Sequence, residues 1–426
     1  MKIRMKDYLI WLVIVVAASV HAEAGNNDWP KVKDDCGKVS SPPQNQPPDP
    51  LWKRFTACAT DFFTARPVHL TVGSIVPGGG FGPGITALTE FNREKWQRSF
   101  AATGLSSLRE FWIGEARFKF THDKFGDKNS ARDRFALNIY ADAKGLPDMV
   151  YYGIGPTTTR AAAAHYSERY VAAGADVFNP FAGWFGAGGR IESIWPQIDG
   201  VTEPGVVSIT SAFTESTAPG LTAQPNLIHY EVYAEPRRLR HKFQFDYKVG
   251  YNFYQDHDTG HYSFRRFRVD GVHTFHPFGK NENVLTIHNR LTISGTSGTN
   301  VVPFYLQETL GGSDIDGQPT LRGFADYRFR APDLMLFQVE YDHRVWGPIG
   351  LLGFYDTGEV TNRAADLSFA NMRHSAGFGM SIWAGNKSWF KIYVGLGSGE
   401  GAHPYFGIPI HKESWQFINS PTVIGQ

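Results

Sequence analysis

The chain has 426 residues, a formal net charge of +1 and 2 cysteines; 42% of its residues are hydrophobic, 14% aromatic and 19% charged, with 45 Gly and 25 Pro. Balanced charge tells against a nucleic-acid-binding protein, and two cysteines are too few for a disulfide scaffold or a four-cysteine zinc site. The aromatic content tells against a disordered chain, and the length allows one very large domain or two to three ordinary ones.

Lys2, Arg4 and Lys6 precede a short apolar run from Leu9 to Val20, and small residues follow at Ala22 and Ala24. This is the pattern of a secretory signal peptide, expected over 1–22. The run is shorter than the ~20 residues of a spanning helix, and no later segment reaches that length. Residues 23–65 read as a tether: Pro42-Pro43, Pro47-Pro48 and Pro50 predict an extended linker, and Leu51, Trp52, Phe55, Ala59, Phe62 and Phe63 recur at roughly helical spacing. In an oxidising compartment Cys36 and Cys58 are candidates for a disulfide.

From residue 66 the dominant signal is alternation. Phe243, Phe245, Tyr247, Val249, Tyr251 and Phe253 share one face of a strand; Gln244, Asp246, Lys248, Gly250 and Asn252 share the other. The same pattern recurs around Ile139, Val232, Ile287 and Val394. Several runs reach the ~9–11 residues that cross a bilayer at a tilt. Strands of soluble sandwiches average ~5–6. The charged face suits a wet lumen, and Trp389 and Tyr254 near strand ends suit interfacial girdles. The expected fold is therefore all-β: a transmembrane antiparallel β-barrel over 66–410, followed by a C-terminal tail over 411–426. Sixteen or seventeen candidate strands lie between Pro67 and Ile410, with the weakest pattern between Met149 and Ile198. Bacterial single-chain barrels have even strand numbers, so sixteen is expected. The last strand is expected over Pro404–Ile410, with Pro409 near its end.

Enzyme chemistry is not evident. There is no G-x-S-x-G, H-E-x-x-H, C-x-x-C or P-loop, so neither a catalytic role nor a cofactor is expected. Asp256-His257-Asp258-Thr259-Gly260-His261 carries the metal-ligand types, with His257 and His261 as weak candidates, but it lies between strong strands and reads first as a turn. Gly78-Gly79-Gly80 reads as the turn between the first two strands.

One ordered set of motifs is more specific. Gly311-Gly312 precedes Leu321-Arg322-Gly323-Phe324; Phe337-Gln338-Val339-Glu340-Tyr341 and Gly353-Phe354-Tyr355-Asp356-Thr357-Gly358 follow. This order resembles the BamA/TamA superfamily, also called the bacterial surface antigen family. Tyr151-Tyr152-Gly153-Ile154-Gly155-Pro156 is similar to a further feature of its patatin-linked barrels, and Ser375–Gly379 and Lys391–Gly399 fit its last strands. The resemblance implies a bacterial outer-membrane barrel whose long sixth external loop folds into the lumen. There Arg322, flanked by Gly323 and Phe324, would meet acidic groups at Glu340 and Asp356. By alternation alone Glu340 shares a face with Gln338, Asp342 and Arg344.

The resemblance further implies insertion or translocation of a protein or lipid, with outer-membrane lipids and nascent outer-membrane or secreted proteins as partners. Two departures stand out. About 40 residues before the first strand leave no room for a POTRA domain, given ~50 for a small domain. The chain also continues to Gln426 past its expected last strand. A passive porin-like channel, or a soluble secreted β-protein, are the competing expectations.

Overall fold

A computed structural model describes residues 28–40, 58, 63, 65–93, 96–123, 134–238, 243–278, 282–384, 387–407 and 422–424. The signal-peptide segment, Pro42–Pro50, Pro409 and the Trp389 side chain lie outside the described residues. Helix α1 (Trp29–Ser40) occupies part of the tether. Its sequence carries few apolar residues, which is why the pattern there does not announce a helix. Cys36 and Cys58 are joined by a disulfide, with Cα atoms 4.6 Å apart.

The sheet begins with β1 (Val68–Ser74), β2 (Phe81–Arg93), β3 (Trp96–Ser106), β4 (Trp112–Asp123), β5 (Arg134–Tyr151) and β6 (Ala164–Ala182). It continues with β7 (Phe185–Gly200), β8 (Leu227–Arg238), β9 (Phe243–Asp256), β10 (Phe264–Phe275) and β11 (Asn283–Thr296). A small hairpin, β12 (Glu308–Leu310) with β13 (Phe329–Ala331), stands apart from the sheet. The sheet resumes with β14 (Asp333–Trp346), β15 (Ile349–Thr361), β16 (Arg373–Ala384), β17 (Lys387–Gly397) and β18 (Gly401–Gly407). Each of these sixteen strands pairs antiparallel with its neighbour in this order, from β1 to β18. The weakly patterned span holds β6 and β7, two of the longest strands, joined across Pro180 and Ala182 by a register shift. A seventeenth strand comes from the expected tail: β19 (Thr422–Ile424) pairs with the free edge of β1 at Val72, Gly73 and Ser74.

The inside-outside pattern is the reverse of a water-soluble core. Val232 and Phe378 are 63% and 69% exposed, and Ile139, Ile191, Leu351 and Leu396 are also exposed. Their alternates Glu231, Glu192 and Asp356 are buried, as is Arg290. Exposed apolar groups beside buried charges are the informative departure from ordinary burial. Among the described residues no helix is long and apolar enough to cross a membrane, which says nothing about strands.

Antiparallel order puts the connections 75–80, 107–111, 152–163, 201–226, 257–263, 297–332, 362–372 and 398–400 on one rim. The N-terminal segment lies at the other, where Asp28 N–H donates to Arg66 O at 2.9 Å. The 297–332 loop turns inward. It reaches Pro77 O through the Tyr327 hydroxyl (2.9 Å), Tyr166 of β6 through Arg330 (3.2 Å), and β10 through Arg266, which donates to Leu306 O (2.6 Å). One segment touching elements from both ends and the middle of the sheet requires the sheet to wrap around it as a barrel. An apolar cluster seals this rim: Val76, Phe111, Met149, Tyr151, Ile209, Leu221, Phe304 and Tyr327 belong to it.

The lumen is therefore neither open nor simply wet at this end. Its wall charges are paired, as in Lys248–Glu231 (2.7 Å) and Arg290–Asp270 (2.7 Å), and the His229 ring hydrogen-bonds Glu192 (2.7 Å). Tyr254 also departs from its expected girdle role. It faces inward and stacks on His229 and Phe264, with ring centroids 4.2 and 4.3 Å away.

Candidate functional site

The site is built where the 297–332 loop meets the inner wall. Gly311 and Gly312 let two loop segments run in contact. A Cβ on Gly311 would lie 2.2 Å from Ala325 O, and Gly312 N–H donates to that same oxygen at 2.9 Å. A tight turn follows, with Phe324 N–H donating to Leu321 O at 3.0 Å. The turn sends Leu321 and Phe324 into an apolar cluster with Leu310, Phe329, Leu334, Leu336 and Val360. Arg322 is left pointing at the barrel wall.

There it is almost completely enclosed, 4% exposed. Its Nε and Nη2 donate to the two oxygens of Asp356 at 2.9 and 2.7 Å, and its backbone N–H reaches the same carboxylate at 3.1 Å. Its Nη1 donates to Glu340. The guanidinium lies 3.7 Å from the centroid of the Phe354 ring and 5.2 Å from that of Tyr393. A planar, permanently charged fork is suited to hold one carboxylate bidentately and a second by its remaining edge. Gly323 and Phe324 complete the turn, so the five residues singled out by sequence converge on one place. Cys36 and Cys58 lie in the N-terminal segment.

Several further partners lie inside the matched segments but are not singled out as site residues by the sequence. Lys391 of β17 donates to Glu340. Gln338 donates to Asp356 at 3.2 Å and to Thr320 O at 2.8 Å. Ser375 donates to Asp356 at 3.2 Å. Strand parity places Lys391 and Tyr393 on the inward face of β17, and that was the available signal. Gly395 and Gly397 are less obvious. A Cβ on either would fall 2.3 or 2.1 Å from the carbonyl oxygen of Arg322 or Gly323. The loop backbone thus lies directly on the β17 backbone.

A second anchor of opposite sign lies toward β10 and β11. Glu308 of β12 accepts from Arg268 at 2.5 Å and sits 3.2 Å from Arg266. Burial opposes ionisation of Glu308, but Arg268, Arg266 and Arg290 outweigh it and hold the carboxyl below its ordinary range. Asp314 accepts from Arg290 at 2.7 Å; burial pushes its carboxyl up to about 6 against that guanidinium. One loop therefore offers a cation to an acidic wall and anions to a basic wall.

The 256–261 segment is a turn organised by Asp256. Its carboxylate accepts from the N–H groups of Asp258 (2.9 Å), Thr259 (2.9 Å) and His261 (3.0 Å). Among the described residues no group of three His, Cys, Asp or Glu could hold a metal ion, and His257 and His261 belong to no such group.

No family model and no curated protein matches the chain. Solved structures do. BamA from Haemophilus ducreyi, in a crystal structure lacking POTRA domains 1–3, is similar with a TM-score of 0.53 and 10% identity. That match covers 80% of this chain and 70% of the other. The chain has the fold of the BamA barrel. CdiB from Acinetobacter baumannii matches at TM-score 0.45 and 10% identity, over 78% of this chain and 55% of that one. The resemblance to BamA-type barrels carried by Leu321-Arg322-Gly323-Phe324 thus holds at the level of architecture.

Proposed function

We propose that the chain is an outer-membrane barrel of the BamA/TamA superfamily that assists insertion or translocation of a protein or lipid. The observation that carries this reading is the buried Arg322–Asp356–Glu340 cluster, which ties a long loop into the lumen. The apolar seal over the rim obstructs free diffusion, which favours this reading over a passive pore. The exposed apolar alternates suit contact with lipid.

The barrel seam supports the same reading. β1 and β18 are the shortest of the sixteen strands, at 7 residues each. The far edge of β1 carries three pairs, all to β19. Unpaired strand edges can template an incoming strand. Release of the Arg322 latch would let loop and seam rearrange together.

The test is photocrosslinking in cells from positions in β1 and β18. Covalent capture of exported polypeptide or lipid is expected, with a changed yield in Arg322→Ala. A steady planar-bilayer conductance unchanged by Arg322→Ala, with no captured client, would replace this reading by a passive channel.

A further inference from the structure

The seam between the two ends of the sheet is not closed by its terminal strands. β18 pairs with β17 and β1 pairs with β2, and among the described residues no ladder joins β18 to β1. The other edge of β1 is met by β19. Val72, Gly73 and Ser74 lie opposite Ile424, Val423 and Thr422 in an antiparallel ladder. Val68–Thr71, toward the N-terminal end of β1, lie outside that ladder.

The sequence explains both the pairing and its shortness. Thr422, Val423 and Ile424 are all β-branched, which favours extended backbone. Pro421 before them has no N–H to add to a ladder, and Gly425 after them weakens one. The contact is thus confined to three residues of a seven-residue strand. A permanent closing strand would match the length of its neighbour, as β2 matches all of β1. So short a ladder must also offset the entropy of ordering the chain that carries it. It is suited to exchange more than to permanent closure.

The tail can reach this edge and leave it without disturbing the barrel. β18 runs away from the 398–400 connection, whereas β19 begins opposite Ser74, at the rim that carries that connection. The fourteen residues 408–421 suffice for the return, since they can span about 46–50 Å and β1 is only ~23 Å long. Nor does the rim end of the seam depend on β19. The Tyr327 hydroxyl donates to Pro77 O (2.9 Å) in the connection that follows β1. The next residue, Arg328, pairs with Glu400 in the connection that precedes β18. Two adjacent side chains of the inward loop therefore hold both flanks of the seam.

We propose that Thr422–Ile424 is an autoinhibitory strand, which covers the rim half of the β1 edge and yields it by strand exchange to an extended segment of a client polypeptide. Val68–Thr71 serve as the toehold on which the incoming strand begins to pair. As pairing advances toward Ser74 it displaces β19 residue by residue, because one strand edge accepts one partner. The role of the client rests on the insertion reading given above; the pairing of tail with β1 does not.

The pairing is tested with cysteines in the full chain in outer membranes, where Cys36 and Cys58 are already joined. Val72→Cys/Ile424→Cys, opposite in register, should form a disulfide within one chain under mild oxidation, and Leu70→Cys/Ile424→Cys at least tenfold less. Occupancy is tested with a photoreactive synthetic peptide of residues 419–426 added to the purified chain. Val423→Pro, which disfavours the ladder, should raise capture of the peptide on β1 at least threefold over the parent. The conservative Val423→Ile should not, and an unchanged heat-modifiable gel shift shows that both barrels are intact. In cells Val423→Pro should likewise raise capture of exported polypeptide at Leu70. Peptide capture raised by Val423→Pro with no client captured in any variant would uphold the occupied edge and overturn the insertion reading instead. The inference itself is overturned if the register pair forms no disulfide or joins two chains, or if parent and Val423→Pro capture the peptide equally.

Discussion

Gly323 lies so close to Gly397 that a Cβ on Gly323 would sit 2.3 Å from the Gly397 nitrogen. The latch therefore depends on backbone meeting backbone as much as on charge. Gly323→Ala must push the loop off β17, and overpacking of this kind costs about 1–3 kcal/mol. The expected outcome is a lower temperature for loss of the heat-modifiable form and faster proteolysis within 311–331. An unchanged melting temperature would show that the loop seats differently.

The two acidic partners of Arg322 should not be equivalent. Glu340 keeps Lys391 when Arg322 is lost, whereas Asp356, 0% exposed, keeps among the described residues only neutral donors: Gln338, Ser375 and the backbone N–H of residue 322. Breaking a buried pair by removing one partner costs about 3–5 kcal/mol. Double-mutant cycles with Arg322→Met should give a larger coupling to Asp356→Asn than to Glu340→Gln. Equal couplings would contradict the geometry. Glu340→Arg, which places a third cation beside Arg322 and Lys391, should loosen the barrel and reduce its gel shift.

Glu308 predicts that Arg322→Ala alone leaves the loop tethered. Its removal in Glu308→Gln leaves Arg266 and Arg268 facing each other without their carboxylate. The double variant Arg322→Ala/Glu308→Gln should expose the loop to protease far more than either single change. Simple additivity would argue against two anchors on one element.

Acid should act on the rim loops with opposite signs. Burial works against ionisation of Glu215, but bonds from Thr222, Gly220 and Tyr262 outweigh it, so its carboxyl lies below its ordinary value of 4.5. Its contribution to the 201–226 loop is present above that value and is lost as pH falls through the lower folded value. Asp314 is raised from 3.8 to about 6, so its effect runs the other way: stability of the 311–318 turn falls as pH rises between those values. Hydrogen exchange at pH 3, 5 and 8 should show the 201–226 loop least protected at pH 3. The 311–318 turn should be less protected at pH 8 than at pH 5. Glu215→Gln should remove the first dependence and leave the second.

The sequence by itself determined the barrel. Period-two alternation over long runs fixes which side chains face out, as Val232 and Phe378 do, and this needs no knowledge of distant contacts. It also placed Arg322, Glu340 and Asp356 in one assembly, because a resemblance in motif order carries their relation across 34 residues of separation. Alternation says nothing about what meets across the lumen. Only the tertiary structure brought Glu308 to Arg268, set Gly395 and Gly397 beneath the loop and joined β19 to β1. Each of these depends on how the loops fold over a curved sheet, where packing between residues remote in sequence decides the partner and no local period records it.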